Sequence, residues 1–172
     1  MKRVIAMGLL ILICFVLQCT LFHGLSFGGI IPNLLVVLAA SFGFMRGEKS
    51  GLITGCISGL LIDIFFGSTI GFYALIYMYI GYVNGKFHNI FYPEDIKLPM
   101  VLIIGSDLFY GIICYILLFL MRARFHFGYY FIHIILPEIV YTTLVTLFLY
   151  PIVLWINRKL EAGERQNEKK FV

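Results

Sequence analysis

The sequence predicts an all-α integral membrane protein with six transmembrane helices and both termini on the cytoplasmic side. Three observations carry that prediction. First, 61% of the 172 residues are hydrophobic, only 13% are charged, and the mean hydropathy is +0.97. A soluble domain is about 45–50% apolar and about 25% charged, so a globule this small could not hide so much apolar surface, and a disordered chain is excluded with it. Second, the apolar residues fall into six runs. At about 20 residues per span, those runs leave almost nothing outside the bilayer. Third, the basic residues alternate sides from one connection to the next.

The first span is read at Val4–Phe22. Lys2 and Arg3 precede it as they would a signal peptide. The run is too long for an apolar signal core of about 7–15 residues, and no small-x-small cleavage site follows. Leu17-Gln18 before Cys19 lacks the small residue of a lipoprotein site, so the helix is expected to stay uncleaved. The second to fifth spans are read at Ile30–Met45, Gly51–Phe66, Ile70–Asn84 and Met100–Met121. The sixth, Tyr130–Ile156, leads into a short charged tail, 157–172. Pro137 and Pro151 free the carbonyls of His133 and Leu147 by removing helix hydrogen bonds. This segment is longer than a bilayer needs, so it is expected to kink or to begin as an interfacial stretch around Phe125–Ile132. Aromatic residues crowd the ends of the spans, with Phe87, Phe91 and Tyr92 inside and Phe125, Phe127, Tyr129 and Tyr130 outside, as in interfacial belts.

Cytoplasmic loops hold the excess of Lys and Arg. With six spans one side carries Lys2, Arg3, Arg46, Lys49, Lys86, Lys97, Arg158, Lys159, Arg165, Lys169 and Lys170, and the other carries Arg122 and Arg124: 11 against 2 of the 13 basic residues. An odd number of spans would scramble this asymmetry. The net charge of +4 is then a matter of topology and predicts no nucleic-acid partner.

Little in the chain resembles a catalytic or metal site. Cys14, Cys19, Cys56 and Cys114 all fall within spans and lack CxxC spacing, so they read as small hydrophobes. No zinc-ligand spacing, Walker A loop, HExxH helix or GxSxG elbow occurs, and no cofactor is predicted. His23, His88, His126 and His133 sit mostly at interfaces. Six of the nine acidic residues lie in loops or the tail; the others, Asp63, Asp107 and Glu138, lie inside spans three, five and six. A mid-span Asp costs about 2.5–3.5 kcal/mol on the insertion scale, against about 0.3–0.6 recovered per large apolar residue. Span three barely offsets its Asp, which should therefore face protein or a watery cavity.

Glycines sharpen the reading of span three. Gly43, Gly47, Gly51, Gly55 and Gly59 recur at every fourth residue and the series continues to Asp63 and Gly67, one helix face of small residues that lets two backbones approach. Two uses fit that face: a tight crossing within the chain, or a groove that accepts a helix of another protein. In span five Asp107, Tyr110, Gly111 and Cys114 share a face; in span six Glu138 shares one with Tyr141, Thr142 and Thr146. The three carboxyls admit several meanings: polar contacts that hold the bundle, a cation or proton path, or an aspartyl protease dyad. The last is opposed by the run Ile104-Gly105-Ser106-Asp107, which departs from the Gly-x-Gly-Asp motif of intramembrane proteases. A transporter would usually show a repeat in its two halves, and no convincing one is found.

Taken in order, Pro32-Asn33-Leu34 at the entry to span two, Gly51-x-x-x-Gly55-x-x-x-Gly59-Leu60-Leu61-Ile62-Asp63, Gly67, Gly71-Phe72, Gly81-Tyr82, Asp107 with Tyr110, Pro137 and Thr142-Thr143 resemble the MreD family of rod-shape-determining membrane proteins over nearly the whole chain. The resemblance implies a multi-pass protein of the bacterial inner membrane and a non-enzymatic scaffold of the cell-elongation machinery. Its implied partners are MreC, the actin-like MreB, RodA and a penicillin-binding protein. Pro32, Asn33, Asp63 and Asp107 are the matched positions; Gly51, Gly55, Gly59, Tyr110 and Glu138 join them as helix-packing or partner-binding candidates on physical grounds. The family is also similar in fold to the six-helix substrate-binding subunits of energy-coupling-factor vitamin transporters. That likeness implies the alternative, a subunit binding a small vitamin-like molecule. Ala6-Met7-Gly8-Leu9-Leu10 departs from the Ala-x-x-x-Ala contact of those subunits.

Overall fold

Every residue from Leu34 to Met45 is buried, which makes a short apolar helix the axis of the protein. The structure is a computed structural model that describes residues 2–24, 26, 29–67, 70–90, 96–118 and 127–168. Its helices are α1 (Lys2–Cys19), α2 (Leu21–Gly24), α3 (Leu34–Arg46), α4 (Glu48–Phe66), α5 (Phe72–Lys86), α6 (Lys97–Leu118), α7 (Phe127–Tyr130) and α8 (Leu136–Glu168), with a 3-10 turn at Phe87–Ile90 and a π turn at Phe131–Ile135. Six of these are long, one in each predicted span, and α3 touches all five others. Arg122, Arg124, Lys169, Lys170, Phe91, Tyr92, Phe125 and His126, which figure in the predicted topology, lie outside the described residues.

The helices are built inside out. On α4, Ser50, Gly51, Thr54, Gly55, Ser58, Gly59 and Asp63 are buried with Ile62. Ile53, Ile57, Ile64, Phe65 and Phe66 face outward. Val4, Ile5, Leu9 and Leu12 of α1 and Val140, Leu144, Phe148 and Ile152 of α8 are exposed in the same way. Water would not tolerate such a surface and hydrocarbon favours it.

Three helices are long and apolar enough to cross a membrane by length and composition: Glu48–Phe66, Lys97–Leu117 and Gly128–Gly163. The shorter α3 is clad by protein instead of lipid. At 1.5 Å per residue its length is only roughly 20 Å, against about 30 Å of hydrocarbon.

The ends of the helices have local causes. Gly47, at φ +89°, closes α3 and opens α4 with a single residue between them, and its N–H bonds to the Gly43 carbonyl at 2.7 Å. Thr20 breaks the first span between α1 and α2. Pro137 does not simply kink the last helix. The π turn before it shifts the register, so that the Leu136 N–H donates to the Phe131 carbonyl five residues back. An α-helix here would leave the His133 carbonyl without its donor, and a one-residue insertion of this kind absorbs the gap. The helix also runs beyond Ile156 to Glu168, so most of the predicted tail is helical.

Candidate functional site

The glycine face of α4 is occupied within the chain. A Cβ on Gly51 would stand 2.1 Å from the Gly81 carbonyl oxygen, one on Gly55 2.2 Å from the Tyr77 carbonyl oxygen, and one on Gly59 2.4 Å from the Ala74 Cα. The seam is reciprocal: Gly81 would strike the Gly51 carbonyl oxygen at 2.0 Å and Gly85 the Glu48 Cα at 2.4 Å. Of the two uses of the glycine series, the tight crossing is the one realised. α5 fills the face, so an incoming helix finds no groove at Gly51, Gly55 and Gly59.

Asp63 completes this seam. It lies in the last turn of α4, and its carboxylate accepts three backbone N–H bonds, from Gly71 and Ala74 to Oδ2 and from Tyr73 to Oδ1, each 2.9 Å. These amides open α5, whose N-cap, Gly71 at φ +100°, has no side chain to cap them. A carboxylate from the preceding helix does so instead and also meets the positive end of the α5 dipole. Both oxygens are thereby committed.

A second polar region lies where α3 begins. Asn33 caps α3, its Oδ1 accepting from Val36 N at 3.3 Å and from the Tyr77 hydroxyl at 2.7 Å, while its own N–H donates to Thr142 Oγ1 at 3.1 Å. One residue thus ties α3 to α5 through its side chain and to α8 through its backbone N–H. Gln18 adds α1, its Oε1 accepting from Leu35 N at 3.4 Å. Pro32 is buried beside Asn33. Tyr110 of α6 sets its ring edge-on to Tyr77 at 5.5 Å between centroids and lies 6.3 Å from Tyr73.

Asp107 stands one turn before Tyr110 on the same buried face, which Gly111 continues against Ile135 of the π turn, 3.1 Å from its Cβ position. Thr142 is its neighbour, yet neither Asp107 oxygen finds a hydrogen-bond partner among the described residues. Glu138, half-buried in the first turn of α8, lies within electrostatic reach of Asp107 and of Tyr73, Tyr77 and Tyr110.

The structure therefore gathers Pro32, Asn33, Asp107, Tyr110 and Glu138 at one junction of α3, α5, α6 and α8. It places Asp63 and the three glycines in a separate seam. Sequence reasoning passed over Tyr77, one of many aromatics in its span, and Gln18. It also passed over two ties at the opposite end of α3. There the Arg46 guanidinium donates through Nε to Asn157 Oδ1, and Asn157 Nδ2 donates to Glu161 Oε1 at 2.8 Å. Nearby, Asn84 Nδ2 donates to Ser106 Oγ at 2.7 Å. A lone amide within each apolar run was the available signal. Among the described residues no group of three or more His, Cys, Asp or Glu is placed to hold a metal ion.

The junction is built on Pro32-Asn33 and Asp107, and the seam on the glycine series ending at Asp63. The sequence profile described as rod shape-determining protein MreD matches residues 1–160. The chain belongs to the MreD family. No curated protein and no solved structure matches it. The family is one of shape-determining proteins, not a known enzyme family, and its role is in rod-shape determination. With apolar helices of spanning length, this member of the MreD family is a membrane protein.

Proposed function

We propose that the chain is a multi-pass scaffold of the bacterial inner membrane, with six crossings and both termini in the cytoplasm, that links MreC, MreB and the lateral-wall peptidoglycan synthases RodA and a penicillin-binding protein. It works by helix–helix contact and carries out no chemistry of its own. The observation that supports this reading is the inside-out surface: large apolar side chains such as Phe148, 77% exposed, stand on the outer faces of a bundle whose polar groups are turned inward. Those outer faces, and not the glycine seam, are the surfaces left for a partner's span. The basic residues at the α3–α4 turn and the end of α8 are those that would meet cytoplasmic partners.

Co-purification of the intact complex from membranes is the test. Tryptophan at Ile64, Val101 or Leu144, three outward positions on three helices, is expected to release partners selectively while the protein inserts and melts as the wild type does. Retention of every partner by all three variants, or failure of the wild type to retain any, would remove the scaffold reading.

One observation favours a second reading, the small-molecule-binding subunit. The unpartnered Asp107 carboxylate sits beside Asn33-capped α3, Thr142 and the Tyr77–Tyr110 pair, a polar enclosure suited to a ligand with hydrogen-bond donors. Mass spectrometry of the purified protein decides it. A vitamin-like molecule that is released by Asp107→Asn would put this reading first.

A further inference from the structure

At 33 residues α8 is about 50 Å long, more than the roughly 30 Å of hydrocarbon requires. Its last turns, 157–168, have little reason of their own to stay helical or to point one way. A free helix of about 12 residues is marginal in water, and Gly163 weakens this one further. Upstream, Pro151 removes the hydrogen bond to the Leu147 carbonyl and leaves the helix able to bend there.

The emerging end is instead tied from the side. α3, buried from Leu34 to Met45, ends in Arg46. The Arg46 guanidinium donates through Nε to Asn157 Oδ1 and through Nη2 to the Asn157 carbonyl oxygen at 3.5 Å. Asn157 is 1% exposed, and its amide is fixed from the other side, Nδ2 donating to Glu161 Oε1 at 2.8 Å one turn further on. With the nitrogen so engaged, the oxygen faces Arg46. The same end of α3 takes a tie from the turn after α5, where His88 Nδ1 lies 3.0 Å from the Phe44 carbonyl oxygen. One residue beyond Arg46 the chain turns at Gly47 into α4.

We propose that Arg46, Asn157 and Glu161 are positioning residues, a clamp that holds the cytoplasmic end of α8 at one angle to the α3–α4 turn. The two basic stretches assigned to cytoplasmic partners are thereby presented as a single surface, Lys49 on the turn and Lys159 on α8 both being exposed. Apolar packing would join the two helices at a lower cost of desolvation; charge-assisted hydrogen bonds add direction. The inference rests on the scaffold reading and its topology for the use of that surface, and on the hydrogen bonds alone for the clamp.

The first measurement is hydrogen–deuterium exchange on the full chain in detergent without partners. Amides of 158–168 should exchange about tenfold faster in Asn157→Ala and in Glu161→Ala, as for loss of one charge-assisted hydrogen bond, while those of 136–156 keep the wild-type rate. The double variant Asn157→Asp with Glu161→Gln reverses the donor and acceptor of the second bond and keeps an acceptor for Arg46. It should restore slow exchange. Wild-type rates in both single variants would show that the end of α8 stands unaided, and faster exchange along the whole chain would make Asn157 a core residue. No recovery in the double variant would show that these hydrogen bonds are not the cause. Each result overturns the clamp.

The second measurement is co-purification from membranes. Glu161→Ala, at a half-buried position, should lose a cytoplasmic partner and keep those gripped within the bilayer, with recovery in the double variant. Retention of every partner by a variant whose α8 end exchanges fast would overturn the shared surface. A wild type that retains no partner would remove the scaffold reading and the surface with it, whereas the exchange contrast judges the clamp independently.

Discussion

Asp63 and Asp107 are buried almost equally, at 1% and 2% exposure, and both interrupt apolar helices, yet their surroundings are opposite. Asp63 accepts three N–H bonds at 2.9 Å; among the described residues no group stands within hydrogen-bond geometry of Asp107. The first is a structural cap whose cost of burial is met by charge-assisted bonds to backbone amides. The second is left with unmet hydrogen-bonding capacity at the meeting point of four helices. Buried polar groups are nearly always paired, and one that is not calls for an explanation of its own. The contrast separates a region that holds the fold from a region available for function.

The largest expected effect breaks the structural side. In Gly55→Leu, the new side chain begins 2.2 Å from the Tyr77 carbonyl oxygen and 2.6 Å from its carbon. Those are backbone atoms of a helix packed along its whole length, so they cannot turn aside as a flexible side chain would. The seam must part, and the cost should exceed the roughly 1–3 kcal/mol of ordinary overpacking. The expected result is loss of the folded protein from detergent extracts, followed by fluorescence-detected gel filtration.

Asp63→Ala comes next. It leaves the three amides that open α5 without their acceptor, each worth about 1–3 kcal/mol when orphaned, so destabilisation of at least about 3 kcal/mol is expected in thermal or denaturant melts. Asp63→Asn should recover only part of this. One of its two terminal atoms no longer accepts, and either the Tyr73 amide or the pair at Gly71 and Ala74 must go unpaired. A full recovery by Asn would show that the charge and the second oxygen do not matter and would weaken the contrast.

How far the sequence could see this difference is instructive. Hydropathy made six helices legible, because an apolar run registers whether its side chains face outward or, as on α3, the protein interior. The four-residue glycine period pointed to a close crossing, but not to which helix would fill it; that depends on Gly81 and Gly85, whose partners lie tens of residues away. Asp63 sat in register with the glycines and so read as one more packing position. Its true role needs the position of Gly71 after the turn, a relation that periodicity does not encode. The junction was half legible. Asn33 and Asp107 stood out as polar residues in apolar runs, while Tyr77, the residue that bonds to Asn33, was one aromatic among many. The π turn at Phe131–Ile135 had its cause in Pro137, but a kink satisfied the same signal.

A smaller effect probes the link between the regions. Tyr77 reaches from α5, the helix that Asp63 caps, to Asn33 at the head of α3. Tyr77→Phe keeps the ring that stands against Tyr110 and removes one buried hydrogen bond, at a cost of about 1 kcal/mol. Asn33 Oδ1 keeps its bond from Val36 N, so the cap survives. A loss of several kcal/mol in the melt would mean that the junction holds the fold together as the seam does, and the division between the two regions would fail.

The smallest expected change in stability carries the most weight for function. Asp107→Asn is nearly isosteric and disturbs little, because among the described residues neither carboxylate oxygen has a partner within hydrogen-bond geometry and Thr142, its neighbour, can face an amide oxygen as it faces the carboxylate. An uncompensated polar group is replaced by a neutral one that is less costly to bury. The melting temperature should therefore stay the same or rise, in contrast to the loss at Asp63→Asn. If Asp107 serves a partner or ligand, restoration of rod shape in cells lacking the native protein should fail even though the variant is folded and abundant. A variant that melts lower would reveal a structural role, and one that restores shape in full would show that the unpaired carboxylate is dispensable. Only stability retained with function lost supports the assignment, and that pairing is the reverse of what the Asp63 cap predicts.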